Sequence, residues 1–430
     1  MTVTPEVGLV DTPLHVELHG VPPDADVTIR ARLLDHSAVP WSSYATYRSN
    51  EKGALDLSRD APVSGMYTGV DGEGLISSLA VESGFPSRPF DNSSLAALRV
   101  EFAAEIRAHQ VARVSAHRLY VGAGVQVTAL RECGLSGMFF QPLSDEPRPG
   151  IIVLGGSSGK LLFASQTAAL LASHGYPSLA LGYFGLDGLP PHLVEIPMAY
   201  FESALEWLAA QSGVTSDALG VLGRSRGAEL ALLLGSRFPA IRSVVAVCPS
   251  SILWNGLRGD TPVDISAWQE SGRPLPFLSL MASRFSELRS RIFQKAPIEL
   301  TPLFDAALDG PVPRESVISV ENINGPILLI SGDEDRMWPS ARMGDQIVER
   351  LEAHRHRFHV RHCRYPGAGH YMRTPGVPTS VLRGAFELGG NGAAQAAANR
   401  SAWAETLTFL ETSLCARSNA AEPVAIGGTR

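Results

Sequence analysis

A chain of 430 residues, 45% apolar and 18% charged, has enough apolar material for more than one packed core and is unlike a disordered polymer. Its net charge of −7, without a block of like charges, argues against a nucleic-acid partner, and no apolar run reaches the roughly eighteen residues that would cross a bilayer. The opening MTVTPEVGLVDTP has neither a basic nor an apolar targeting segment, so a soluble, cytoplasmic protein is expected. Cys133, Cys248, Cys363 and Cys415 form no CxxC pair and are expected to be buried thiols, with neither zinc nor disulfide.

From Pro5 to Gln141 the sequence alternates apolar and polar residues in short runs between turn signals: LHVELHG, VTIRARLL, ALRVEFAAEI, HRLYVGAGVQVTALRE, LSGMFFQPL. Period-two alternation at this spacing predicts an antiparallel, Ig-like β-sandwich over residues 1–143. The polar, proline-rich SDEPRPG, Ser144 to Gly150, reads as the boundary. Beyond it, strand-like runs, most of them apolar (PGIIVLGG, PSLALGYFG, DALGVLG, IRSVVAVC, PILLISG, HVRHCRYPG), alternate with segments of helical spacing. That pattern predicts a doubly wound, mostly parallel α/β sheet over 144–418, interrupted at about 254–323 by a loop-rich insert. The insert, with a helix expected at SELRSRIFQ, has the size and place of a cap or substrate loop, and residues 419–430 read as a flexible tail.

One motif in this half carries chemistry. Gly223-Arg224-Ser225-Arg226-Gly227 fits G-x-S-x-G between an apolar strand and an amphipathic helix, the setting of a nucleophile elbow in an α/β-hydrolase. A nucleophilic serine needs an imidazole base and a carboxylate to orient it, which in this fold follow in the order Ser, Asp or Glu, His. Asp333, Glu334 and Asp335 lie just past one strand, and His370 lies in a glycine-rich loop past the last. Asp335 is preferred because Asp333, nearest the strand, is expected to shape the turn. An oxyanion hole would take one backbone N–H from Arg226 and one from the LGGSSG loop, at Ser157 or else Ser158. Gly156 and Ser158 in that loop, and Tyr183 in ALGYFG, are expected to contact substrate.

Three other signals carry less. GGSSGK lacks the leading glycine of a phosphate loop, which falls at Leu154, and has Leu161 in place of Ser or Thr, so no nucleotide cofactor is expected. His354, His356, His359 and His362 are interleaved with Arg355, Arg357 and Arg361, a poor setting for a metal ion, and no metal is expected. Cys248, ending an apolar strand, reads as core.

The motifs together resemble the acyl-CoA thioesterases and the bile acid-CoA:amino acid N-acyltransferases. The likeness rests on VPWSSYATYRSNEKGALDLSRDAPVSGMYTGVDGEGLISSL in the first half. In the second it rests on PGIIVLGGSSGKL, ALGYFGLDGLP, GRSRGAEL, INGPILLISGDEDRMWPS, YPGAGHY and QAAANRSAWAETLTFL. The resemblance implies a β-sandwich followed by an α/β-hydrolase domain, with Ser225 similar to the family's nucleophile, Asp335 to its acid and His370 to its base. It implies an acyl-thioester substrate, on coenzyme A or an acyl carrier, and no cofactor. Serine at the nucleophile position, where conjugating members have cysteine, favours transfer to water. The alternatives are an acyltransferase or cyclase passing the acyl group to an amine or hydroxyl, a carboxylesterase, and a non-catalytic binding protein. Arg226 stands where lysine is common, and the chain ends in GGTR without a peroxisomal signal. Nothing in the residues indicates an oligomeric state.

Overall fold

Alternation becomes burial in the first 119 residues. In the strand Asp26–Leu34, Val27, Ile29, Ala31 and Leu33 point inward while the residues between them face outward or lie half-buried. The computed structural model describes residues 1–85, 89–144, 146–280, 297–380 and 386–415, so the expected helix at SELRSRIFQ and the tail 419–430 lie outside the described residues. Strands Thr2–Thr4, His15–His19 and Ala54–Asp56 form a small antiparallel sheet. It packs on a seven-stranded sheet whose long strands are His109–Leu119, Leu98–Ile106, Asp26–Leu34 and Pro40–Arg48. Val16, Leu18 and Leu55 of one sheet meet Ile29, Trp41, Tyr47 and Phe102 of the other in a common core.

The second sheet has eight strands: β1 (Val125–Leu130), β2 (Ser136–Pro142), β3 (Arg148–Leu154), β4 (Ser178–Gly182), β5 (Val214–Arg224), β6 (Ile241–Val247), β7 (Ile327–Gly332) and β8 (Val360–Tyr365). Their spatial order is β1-β2-β4-β3-β5-β6-β7-β8, with β2 antiparallel to both its neighbours, β1 and β4, and every other neighbouring pair parallel. This is the α/β-hydrolase arrangement.

Helices α1 (Leu162–Ser173), α2 (Met198–Ala209), α3 (Arg226–Arg237), α4 (Thr301–Leu308), α5 (Ser340–Ala353) and α6 (Gly392–Leu410) complete the described part of the unit. Strand parity sorts them. Ile151, Val153, Leu222, Val245, Val247, Leu328 and Ile330 face α1 and α6. Ile152, Leu154, Val221, Val244, Ala246, Ile327 and Leu329 face α2, α3 and α5. Both faces of β3, β4, β6, β7 and the end of β5 are dry, which is why those strands read as unbroken apolar runs.

The boundary expected at residues 143/144 does not separate the sheets. Strands β1 and β2, read as the end of the sandwich, are the antiparallel edge of the second sheet, with Phe139 of β2 opposite Leu179 of β4. SDEPRPG marks no change of sheet, its last three residues already belonging to β3, and the change falls between Leu119 and Val125. Alternation marks any half-exposed antiparallel strand, so it could not say which sheet a strand would join.

The insert leaves the end of β6 and returns at β7, and it is not merely loop. Asn255–Arg258 pairs with Thr261–Ser266, Trp268–Glu270 pairs with Ile196–Pro197 and Arg273–Pro274, and α4 follows. These short elements stand over the carboxyl ends of the parallel strands, where an open α/β sheet places its ligands.

Candidate active site

Ser225 joins β5 to α3 with φ 58° and ψ −124°, a region few residues other than glycine occupy. The flanking glycines make the turn possible. A Cβ at Gly223 would lie 1.9 Å from the Gly227 carbonyl oxygen, and one at Gly227 would lie 2.3 Å from the Gly155 oxygen. The Ser225 N–H is anchored on Val247 O at 2.8 Å, tying the turn to β6. Glu229 in the first turn of α3 and Arg237 in the last both complement the helix dipole.

Loops after β7 and β8 bring the other two groups to this turn. His370 Nδ1 donates to Asp335 Oδ2 at 2.8 Å, which leaves Nε2 as the acceptor facing Ser225 Oγ at 3.0 Å. Asp335 and His370 are both buried. Asp335 also accepts from the N–H groups of Met337 (2.9 Å) and Trp338 (3.2 Å) at Oδ1, and from Ser340 Oγ (2.7 Å) at Oδ2. Asp333 instead pairs with Arg364 at 2.8 Å, away from His370. The Glu334 N–H bonds the Ala368 carbonyl and helps join the two loops.

Ser157 lines the same cavity as Ser225, Arg226 and His370. Gly156 lies directly behind Ser225: a Cβ there would be 3.3 Å from Ser225 Cβ. Ser158 takes part in the local turn, its Oγ accepting from Lys160 N at 3.4 Å, and is not among the cavity's lining residues. Tyr183 is a correction. Its ring is buried against Phe184, Phe201 and Trp268, and its hydroxyl donates to Gly155 O at 2.6 Å, so it braces the 155–157 loop and does not face the cavity. Burial pushes that hydroxyl's pKa well above the phenolic range.

The cavity holds about 300 Å³ and opens beside the serine. Its walls come mostly from the insert and α4: Trp254, Leu257, Leu300, Leu303 and Phe304, with Trp338 from the loop after β7. Phe304 makes edge contacts with both Trp254 (4.8 Å between ring centroids) and Trp338 (5.9 Å), and Trp338 stands edge-on to the His370 ring at 6.0 Å. Sequence reasoning assigned this insert a covering role but named none of these rings, because their spacing follows no helical or strand period. Ser340 was also missed. Its signal was available, a hydroxyl opening a helix five residues after Asp335.

Among the described residues, the ligating atoms of Cys248, Asp335 and His370 alone come together as a possible metal set, within 4.8 Å of one another. Asp335 is already engaged by four donors and burial pushes the Cys248 thiol up, so the cluster orients an imidazole and is poorly made for a cation. Cys248 is core, its Sγ lying 3.6 Å from the His370 carbonyl. The other three cysteines are not buried as expected: Cys133 is exposed, Cys363 and Cys415 half-buried.

A family model described as "BAAT / Acyl-CoA thioester hydrolase C terminal" matches residues 196–416, and one described as "Acyl-CoA thioester hydrolase/BAAT N-terminal region" matches residues 11–132. The chain is 30% identical to acyl-coenzyme A amino acid N-acyltransferase 2 of Mus musculus over 96% of this chain and 97% of the relative. It is 29% identical to the mitochondrial acyl-coenzyme A thioesterase 2 of Mus musculus over 95% of this chain and 88% of the relative. Among solved structures, a Pyrobaculum calidifontis esterase matches 67% of this chain and 85% of its own at 16% identity, with a TM-score of 0.39.

Proposed function

The chain belongs to the family of acyl-CoA thioester hydrolases and bile acid-CoA amino acid N-acyltransferases, and from that premise we propose that it is a serine acyl-thioesterase working through an acyl-enzyme on Ser225. The observation that carries the reading is the hydrogen-bonded series Asp335, His370, Ser225, ending at an apolar cavity.

In this mechanism Ser225 Oγ attacks the thioester carbonyl while His370 Nε2 takes its proton across the 3.0 Å contact. Asp335, held by its other donors, keeps the proton on Nδ1 and stabilises the imidazolium. The oxyanion is received by the N–H groups of Arg226 and Ser157. The first N–H groups of a helix have no carbonyl within it, so Arg226 N–H is oriented and open, and each such donor contributes roughly 3 kcal/mol. Collapse expels the thiol, protonated by His370. Water, deprotonated by the same imidazole, then releases the acid and restores the serine.

The cavity's aromatic and aliphatic walls suit an uncharged acyl chain, with coenzyme A or an acyl carrier as the thiol. Replacing Ser225 by Ala is expected to lower acyl-CoA hydrolysis by on the order of 10³-fold or more with the fold intact. Retention of wild-type turnover in that variant would sink the mechanism.

A second reading is acyl transfer to an amine, favoured by the near-equal identity to the N-acyltransferase and to the thioesterase along almost the whole chain. The two share every step up to the acyl-enzyme. Incubation with an acyl-CoA and a panel of amines, reading amide against free acid, separates them.

A further inference from the structure

The residue after the nucleophile sits at the centre of a buried polar network that the reaction above does not use. Arg226 is 5% exposed; its Nη1 donates to Glu229 Oε2 at 2.7 Å, and its Nη2 to the carbonyls of Trp254 and Asn255 at 3.2 Å each. Glu229, wholly buried, accepts the Trp268 indole N–H on Oε1 at 2.8 Å. Arg226 and Glu229 belong to the first turn of α3, whereas Trp254, Asn255 and Trp268 belong to the insert. Trp268 in turn packs 5.9 Å from Tyr183, whose hydroxyl holds Gly155. A continuous chain of contacts therefore joins the nucleophile's helix, the loop carrying Ser157 and the wall of the cavity.

A buried ion pair is a poor way to stabilise a fold, because the desolvation of both charges offsets their attraction. Here that cost is visible: burial pushes the Glu229 carboxyl up to about 7 against the pull of Arg226 and the Trp268 N–H. What such a pair supplies is geometry, since the planar guanidinium fork and the two carboxylate oxygens each accept few arrangements.

We propose that Glu229 is a positioning residue that locks the insert onto the nucleophile's helix, registering the Arg226 amide with the cavity wall at Trp254 and Asn255. This rests on the reading of Ser225 as nucleophile and of the Arg226 N–H as an oxyanion donor. Its signature is a loss in turnover and not in ground-state binding. The apolar walls that hold the acyl chain survive loss of the link, but the donor and the reacting carbonyl lose their common frame.

The test is steady-state kinetics of acyl-CoA hydrolysis by full-length wild type, E229Q, W268F and the double variant. Fluorophosphonate labelling of Ser225 and thermal midpoints are followed in parallel. Each single substitution is expected to lower kcat about tenfold or more with KM within about threefold, and to slow labelling in step. The double variant is expected to be no worse than about the poorer single one, since both cut the same link. Turnover within about twofold of wild type, a loss confined to KM, or losses that multiply in the double variant would each overturn the proposal. Should E229Q not fold, W268F, which removes one N–H and keeps an aromatic ring in the slot, decides on the same criterion. Failure of the underlying reading looks different: wild type would resist the fluorophosphonate, or the Ser225→Ala variant would hydrolyse normally.

Discussion

Asp335 accepts four hydrogen bonds, and their division between its oxygens determines what a substitution does. Oδ1 faces two backbone N–H groups, of Met337 and Trp338, while Oδ2 receives Ser340 and His370. In an Asp335→Asn variant the backbone donors hold the amide oxygen at the Oδ1 site, so the NH₂ takes the Oδ2 site. There it faces His370 Nδ1, which must become the acceptor, and the ring proton moves to Nε2. An imidazole protonated at Nε2 cannot take the proton of Ser225. The variant should fold normally yet lose on the order of 10⁴-fold in kcat for acyl-CoA hydrolysis, with little change in KM. Ser340→Ala, which removes one donor and leaves the tautomer unchanged, should cost only about 1 kcal/mol, or several-fold. Equal losses in the two variants would contradict the role given to Asp335 in fixing the His370 tautomer.

At the scale of elements, α3 places its one buried carboxylate where it is costly to ionise. The Glu229 carboxyl is pushed up to about 7 from the usual 4.5, so the folded protein keeps a proton there that the unfolded chain gives up. The native state binds more protons between these values. The stabilising contribution of Glu229 is therefore complete below about pH 4.5 and lost as pH rises to about 7, with a magnitude on the order of 1 to 3 kcal/mol. Urea unfolding of wild type and E229Q at pH 5, 6, 7 and 8 should show wild type losing ground to the variant as pH rises. Parallel curves would contradict this. Elements also decide what could be read beforehand. Ser225 and Asp335 could be singled out because each closely follows a buried apolar strand, and His370 because it lies in a glycine-rich loop past the last strand; the ends of parallel strands converge. Strands β1 and β2 were assigned to the wrong sheet because their partners, such as Leu179 opposite Phe139, are set by long-range pairing that alternation does not encode. Tyr183 was misread for a related reason: one residue past β4, its side chain could have faced either the cavity or the sheet's cover, and only packing against Trp268 and Phe201 determines which.

For the whole molecule, the coupling between its two parts follows from the core itself. The cluster that fills the sandwich, from Val3 to Tyr120, runs without a break into the face of the second sheet covered by α1 and α6. Polar ties cross the same seam: Asp11 Oδ2 accepts from His174 Nε2 (2.6 Å) and Trp403 Nε1 (2.7 Å), and Asn92 and Gln166 exchange hydrogen bonds of 3.0 and 2.6 Å. Arg118, 1% exposed, lies close by; it reaches the carbonyls of Val10 and Thr12 and the buried carboxyl of Glu73, whose pKa burial raises against the pull of Arg118. Domains joined by small polar interfaces unfold separately, but a shared apolar core makes separation as costly as unfolding. One cooperative transition is therefore expected. Hydrogen exchange in increasing urea should give the same midpoint for Leu98–Ile106 in the sandwich and Val214–Arg224 beneath the active site. Glu73→Leu strands the buried Arg118 guanidinium and should destabilise both segments by about 3 kcal/mol or more, lowering both midpoints together. If instead the sandwich strand opened first while thioester hydrolysis persisted, the two parts would be independent units, and the seam residues would serve only to orient one on the other.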